Sequence, residues 1–241
     1  MTRNHELAQL RRLKKHIPQG LVDTFILMIT LLVATGLANG FAIYHHSVRG
    51  FWPGSVGKDL TLALIPLVFA WLLRIRRWPA PIAWGLVGLW LLFFPNAPYM
   101  LTELGMRDGS WLTLTVHIVF AIMGLLVGLT SLMMIHLEAQ ARLGWLRGWL
   151  FMLLVSLASG AGVYLGRFLR FNSWDLFTDP MSIVRSIVDR YFGTSTMVQA
   201  WGFSLLFTAL LLLCYVVVIQ LGTLTQQRRM GANYPQAQAD E

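Results

Sequence analysis

Stretches without Asp, Glu, Lys or Arg divide the chain into apolar segments separated by short polar connections. They are Thr24–Val48, Leu60–Leu73, Trp78–Thr102, Gly109–Leu137, Gly148–Gly166 and Phe192–Gln227. Five of them reach roughly the 18–20 residues that a helix needs to cross about 30 Å of hydrocarbon. The short segment Leu60–Leu73 spans with help from snorkelling neighbours or is re-entrant. The pattern predicts an all-α, polytopic transmembrane helix bundle of about six spans.

The two ends of the chain differ from this apolar body. Residues 1–20 carry Leu7, Leu10, Leu13 and Ile17 at helical spacing among basic residues. This pattern predicts an amphipathic helix on the cytoplasmic surface of the membrane. We expect residues 21–221 to form a single transmembrane domain. Residues 222–241 are polar, and we expect a disordered cytoplasmic tail.

Composition and charge agree with a membrane protein. The chain is 56% hydrophobic and 12% charged, whereas soluble domains carry about 25% charged residues. With six spans, 12 of the 19 Lys and Arg share a side with both termini. The positive-inside rule then places both termini in the cytoplasm. Membrane lipids are the expected partners of this basic charge, and no nucleic acid is needed to explain it.

A first polar cluster, Phe93–Leu104, interrupts the third predicted span with the sequence FFPNAPYMLTEL. Two prolines three residues apart break the helix, and Asn96 is placed to cap a restarted one. In that helix Tyr99 and Glu103 share a face. The cluster either lines a wet cavity at membrane depth or is a helix end with a solvated carboxylate.

A second polar cluster, GRFLRFNSWD over Gly166–Asp175, ends the fifth predicted span. Arg167 and Arg170 lie on one side of a helix and suit bidentate contact with a phosphate or carboxylate. Asn172 is placed to cap a following turn that contains Asp175, and Trp174 adds an aromatic surface. The alternative is that the arginines snorkel within an aromatic belt. Because basic residues are disfavoured on the outer face, we favour anion binding or an internal ion pair.

Asp179-Pro180 begins a further helical pattern between the fifth and sixth spans. Its apolar positions are Ile183, Val184, Ile187, Val188, Tyr191 and Phe192, with charged residues opposite. The pattern predicts an amphipathic helix in the outer interface, acting as a lid over a site or as a strut.

Three small-xxx-small pairs, Gly36/Gly40, Gly124/Gly128 and Gly162/Gly166, predict close helix contacts. We expect packing within the bundle more than dimerisation, which leaves a homo-oligomer open. The histidines have no diagnostic metal-ligand spacing, and Cys214 is the only cysteine. The chain also lacks Walker, GxSxG, HExxH and CxxC patterns. We therefore predict no metal and no cofactor.

The two polar clusters resemble a family of uncharacterised bacterial integral membrane proteins, domain of unknown function 1361. The resemblance covers the second to the sixth predicted span. It implies a multi-pass protein of the bacterial cytoplasmic (inner) membrane and no particular reaction. It points to Asn96, Tyr99, Glu103, Arg167, Arg170, Asn172 and Asp175.

The leading functional hypothesis is an outer-facing polar pocket that binds an anionic lipid or lipid-linked head group. Asn96, Tyr99, Arg167, Arg170, Asn172 and Trp174 would bind it, and in an enzyme Glu103 and Asp175 would be acid and base. Two other classes stay open. One is a small-solute transporter, which the shortage of ionisable groups at mid-span disfavours. The other is a structural or accessory subunit that packs against an envelope protein.

Overall fold

The computed structural model describes residues 56–76, 78–104 and 111–237, with isolated positions between 26 and 44. These residues form helices and no strand, which confirms the all-α prediction. The elements are α1 Val56–Ile75, α2 Ala80–Phe93, α3 Asn96–Tyr99, a 3₁₀ turn Met100–Glu103, α4 Trp111–Leu143, α5 Trp145–Leu169, α6 Asp175–Thr178, α7 Pro180–Phe192 and α8 Met197–Ala237.

Four described segments are long and apolar enough to cross a membrane: Ala80–Glu103, His117–Leu143, Trp145–Leu169 and Met197–Gly222. They correspond to the third to sixth predicted spans. The short second segment lies within α1, a continuous helix of 20 residues that contains Pro66 and is not one of the four. The first predicted span, Thr24–Val48, and the basic segment 1–20 lie outside the described residues, apart from isolated positions. The described residues therefore include four helical segments that could each cross a membrane, and they do not confirm six.

The tail differs from its prediction. Helix α8 continues through Ala237, so residues 222–237 are helical and not disordered. The physical reason is local, since Gln, Arg, Met and Ala are all good helix formers.

The proline-interrupted stretch after α2 stays inside the bundle and packs against glycines of α4 and α5. A Cβ at Gly124 would lie 2.9 Å from the Ala97 carbonyl oxygen, and one at Gly162 would lie 2.8 Å from Pro95 Cγ. Only glycine permits this approach, so Gly124/Gly128 and Gly162/Gly166 pack within the bundle, as expected. This packing holds Asn96–Glu103 against the middle of α4 and the second half of α5.

Helix α7 covers the α5–α8 pair. Its Ile183 and Tyr191 are buried, and the Tyr191 hydroxyl lies 2.6 Å from Ser204 Oγ of α8. Burial raises the pKa of the Tyr191 phenol above its ordinary value, so this group stays protonated. The neighbouring apolar row of Val184, Val188 and Phe192 is exposed. The predicted apolar stripe is therefore divided between the bundle and the surface, as in a helix lying at a membrane interface.

Candidate functional site

A cavity of about 660 Å³ opens where α1 begins and where α2 and α5 end. Its lining includes polar, charged and apolar residues. The polar and charged residues are Asp59, Asn96, Tyr99, Glu103, Arg167, Arg170, Asn172 and Ser173, and the larger apolar ones include Leu62, Leu92, Leu165 and Ile183. The cavity therefore joins the two polar clusters, which lie more than sixty residues apart along the chain.

Glu103 lies at the centre of the polar lining. Arg167 Nη1 donates to Glu103 Oε1 at 2.8 Å, and the Tyr99 hydroxyl donates to the same oxygen at 3.2 Å. The Glu103 side chain is only 11% exposed, whereas that of Arg167 is 40% exposed. This ion pair joins the end of the α2–α3 segment to the end of α5. The Arg167 guanidinium also interacts with the Tyr99 side chain, so it contacts both Glu103 and Tyr99.

Arg170 terminates α5 in an uncommon backbone conformation. Its φ is 61°, the only positive φ among the described non-glycine residues. The backbone N–H groups of Arg170 and Phe171 both donate to the Leu165 carbonyl, which closes the helix. Glycine usually occupies this position, because a side chain there costs about 1–2 kcal/mol. The exposed Arg170 side chain forms no hydrogen bond or ion pair with any described residue.

The loop after α5 is fixed to the end of α2. Asn96 Nδ2 donates to the Phe93 carbonyl at 2.9 Å and to Ser173 Oγ at 3.0 Å, and Ser173 Oγ donates to the Leu92 carbonyl at 3.0 Å. Both side chains line the cavity. Asn96 thus joins the two clusters directly and does not act as the side-chain helix cap that the sequence predicts.

Two predicted site residues lie apart from the others. Asp175 and Trp174 are not in the cavity lining, although Asn172 and Ser173 beside them are. The Asp175 carboxylate instead accepts the Asn172 backbone N–H at 2.6 Å, which stabilises the turn before α6. The structure brings together Asn96, Tyr99, Glu103, Arg167, Arg170 and Asn172, but not Trp174 and Asp175.

Asp59 is the lining residue that sequence reasoning missed. It appears in the sequence only as a flank of the short apolar segment Leu60–Leu73. The sequence signal that could have identified it comes from the topology. The start of the segment Leu60–Leu73 and the end of the next predicted span lie at the same end of a helical hairpin. The charged lining therefore includes two carboxylates and two guanidinium groups.

This arrangement suits binding of an amphiphile with an anionic group. The Arg170 guanidinium can donate to phosphate or carboxylate oxygens, and Arg167 adds positive charge beside it. The donors of Asn96, Tyr99 and Ser173 are already used in hydrogen bonds within the protein, so the arginines are the main donors to such a group. Within the described ranges, no three His, Cys, Asp or Glu side chains lie close enough together to hold a metal ion.

Comparison with known protein families gives a match to the part of the chain that contains both polar clusters. The family described as "Protein of unknown function (DUF1361)" matches residues 59–214. These residues run from Asp59 of the cavity to Cys214 within α8 and include both polar clusters. No curated protein and no solved structure matches the chain. Because the match covers well over half of the sequence, the chain belongs to the DUF1361 family.

Proposed function

We propose that the cavity between α1, α2 and α5 binds the anionic head group of a lipid or of a lipid-linked precursor. The observation that carries the proposal is Arg170. Its side chain lines the cavity without a described partner, and its backbone is held in a conformation that favours glycine. Residues kept in costly backbone conformations concentrate at functional sites. A positive group held there at such a cost fits a role in contacting a ligand.

The rest of the lining supports the same ligand class. Glu103 already pairs with Arg167, so an anion entering the cavity meets Arg170 as the arginine without an ion pair to a described residue. Leu62, Leu92 and Leu165 supply an apolar wall beside the charged groups. A lipid satisfies both surfaces at once, whereas a small inorganic anion would leave the apolar wall unused. If the site also processes its ligand, Glu103 is the better placed carboxylate, since Asp175 is absent from the lining.

The location of the site follows from the same proposal. The cavity end of the bundle would face the outside of the cytoplasmic membrane, and both termini would lie in the cytoplasm. The bias of Lys and Arg towards the opposite side supports this orientation. The exposed apolar row of α7 would then lie in the outer leaflet, where a lipid can enter the cavity from the side.

The test is a mass-spectrometric inventory of the lipids that co-purify with the wild type, Arg170→Gly and Arg185→Ala in one mild detergent. Glycine relieves the backbone strain at position 170, so we expect this variant to melt at the same temperature or slightly higher. We also expect it to lose a phosphorylated lipid that the wild type retains. Arg185 is an exposed arginine of α7 outside the cavity lining and serves as the matched control.

Either of two results would overturn the proposal. One is an unchanged set of lipids on a folded Arg170→Gly protein, which would show that the Arg170 side chain does not hold a lipid. The other is equal loss from Arg185→Ala, which would show that only the surface charge matters. The first result would favour a structural or accessory subunit, a role that the Glu103–Arg167 connection between helices also fits.

A further inference from the structure

A second cavity, of about 310 Å³, lies at the opposite end of the bundle. It is formed by the end of α1, the start of α2, the last two turns of α4 and Phe151 of α5. Its lining is apolar except for Glu138 and Arg142. This end will be called the Trp145 end. It is independent of the site around Glu103, and the following inference does not rest on the proposed function.

The aromatic residues place the mouth of this cavity at head-group level in a membrane. Trp84 lines the cavity and is 55% exposed, and Trp145 on the neighbouring helix start is 69% exposed. Exposed tryptophans concentrate at membrane–water interfaces. The lining residues of α2 extend from Ala80 to Val87, which corresponds to a depth of about 10 Å along the helix. The cavity therefore leads from the interface into the hydrocarbon region.

Charge at the mouth indicates which lipid fits. Arg142 uses Nε for its 2.5 Å bond to Glu138, and its terminal nitrogens make no hydrogen bond to a described residue. Arg74 and Arg76 lie on the segment between Leu73 and Ala80, both of which line the cavity. The guanidinium of Arg76 lies over Trp78 at 5.1 Å, at the same interface. Arg142 is therefore the arginine of the lining, and Arg74 and Arg76 lie on the segment that follows the lining residue Leu73.

We propose that this cavity binds one anionic phospholipid of the adjacent leaflet. One hydrocarbon chain occupies the apolar cleft between α2 and α4, and the phosphate contacts the terminal nitrogens of Arg142. Charge complementarity selects an anionic over a zwitterionic lipid, because the terminal nitrogens of Arg142 are available to a phosphate and Arg74 and Arg76 add positive charge to the adjoining segment. The site joins α1, α2, α4 and α5 at the end of the bundle opposite to the polar cavity.

The experiment titrates the purified full chain with phosphatidylglycerol or phosphatidylcholine and counts bound lipids by native mass spectrometry. We expect Arg142→Gln to weaken phosphatidylglycerol binding about tenfold, the loss typical of one charge-assisted contact. Ala80→Trp fills the mouth from an exposed position, and we expect it to displace both lipids. Arg147→Gln removes an exposed arginine of the same end outside the lining, and we expect no change. The wild type and each variant are also compared with Arg170→Gly added, which removes any contribution of the polar cavity at the other end of the bundle.

Two outcomes would overturn this inference. Equal binding of phosphatidylcholine and phosphatidylglycerol by the wild type would show a cleft without selectivity for charge. An equal loss in Arg147→Gln and Arg142→Gln would show a diffuse electrostatic attraction and not a site. Each variant is first compared with the wild type by thermal melting. If the Ala80→Trp protein fails to fold, the comparison of Arg142→Gln with Arg147→Gln decides.

Discussion

At the scale of single residues, the ion pair of Glu103 and Arg167 determines how the two polar clusters meet. The carboxylate is mostly shielded and accepts two donors, whereas the guanidinium is partly open to solvent. Partial exposure weakens the attraction through solvent screening, so the pair is worth less than a buried one. A second ion pair, Glu138–Arg142, lies one helical turn apart on α4 and is more exposed overall. The two pairs therefore offer a direct comparison.

We expect a double-mutant cycle of Glu103→Ala and Arg167→Ala to give a favourable coupling of about 1 kcal/mol in thermal unfolding. The same cycle on Glu138 and Arg142 should give about 0.3–0.5 kcal/mol, as for other exposed pairs within one helix. The difference arises because Glu103 is shielded and also accepts the Tyr99 hydroxyl. Equal couplings for the two pairs would contradict the view that Glu103–Arg167 holds α5 to the α2–α3 segment.

Only some of these contacts between single residues could be predicted from the sequence. Tyr99 and Glu103 share a helix face through their spacing alone, and this local contact is present as predicted. The bond between Asn96 and Ser173 spans 77 residues, and no local rule selects those partners. Asp175 shows the opposite failure. A turn of the loop directs its carboxylate to the backbone N–H of Asn172, and Asp175 itself is absent from the cavity lining.

At the scale of elements, glycines of α4 and α5 set the position of the proline-interrupted segment. The close approach of Gly162 to the Pro95 ring leaves no room for a methyl group. The rigid ring cannot move aside as a flexible side chain would. The second half of α5 therefore fits against α3 only while position 162 is glycine, and this contact supports one wall of the cavity.

We expect Gly162→Ala to lower the free energy of unfolding by about 1–3 kcal/mol, the usual cost of overpacking. The matched control is Gly202→Ala in α8, where a Cβ would meet no atom of the described residues within 4 Å. Alanine is the better helix former there, so the control should be neutral or stabilising by up to about 1 kcal/mol. Thermal melting in detergent measures both. A Gly162→Ala protein as stable as the control would show that the α3–α5 contact is looser than described.

The small-xxx-small pattern alone could not assign this role. It predicts a close approach of helices but does not say whether the partner belongs to the same chain. The break at Pro95 and Pro98 was evident from the sequence, because proline removes helix hydrogen bonds. The direction that the chain takes after this break could not be predicted from the sequence, because it depends on the shape of the surface formed by α4 and α5.

At the scale of the whole molecule, charge is distributed unequally between the two ends. Among the described side chains, the Trp145 end carries Arg74, Arg76, Arg142 and Arg147 against Glu138. The opposite end carries four arginines, 167, 170, 185 and 190, against five carboxylates, 59, 103, 175, 179 and 189. The net charge is therefore +3 at one end and −1 at the other. An anionic cytoplasmic leaflet attracts the first end and gives little preference to the second.

This asymmetry predicts the orientation of the bundle in the membrane. Single cysteines at positions 185 and 146, in a Cys214→Ser background, place one label at each end on an exposed residue. We expect a membrane-impermeant maleimide to modify Arg185→Cys in intact cells and Leu146→Cys only after permeabilisation. The polar cavity lies at the same end of the bundle as position 185. Its Glu103 contacts Arg167 in the last turn of α5, and α7 with position 185 follows that end of α5. Labelling in the reverse order would place the cavity in the cytoplasm, where a soluble phosphorylated ligand becomes a better candidate than an outer-leaflet lipid.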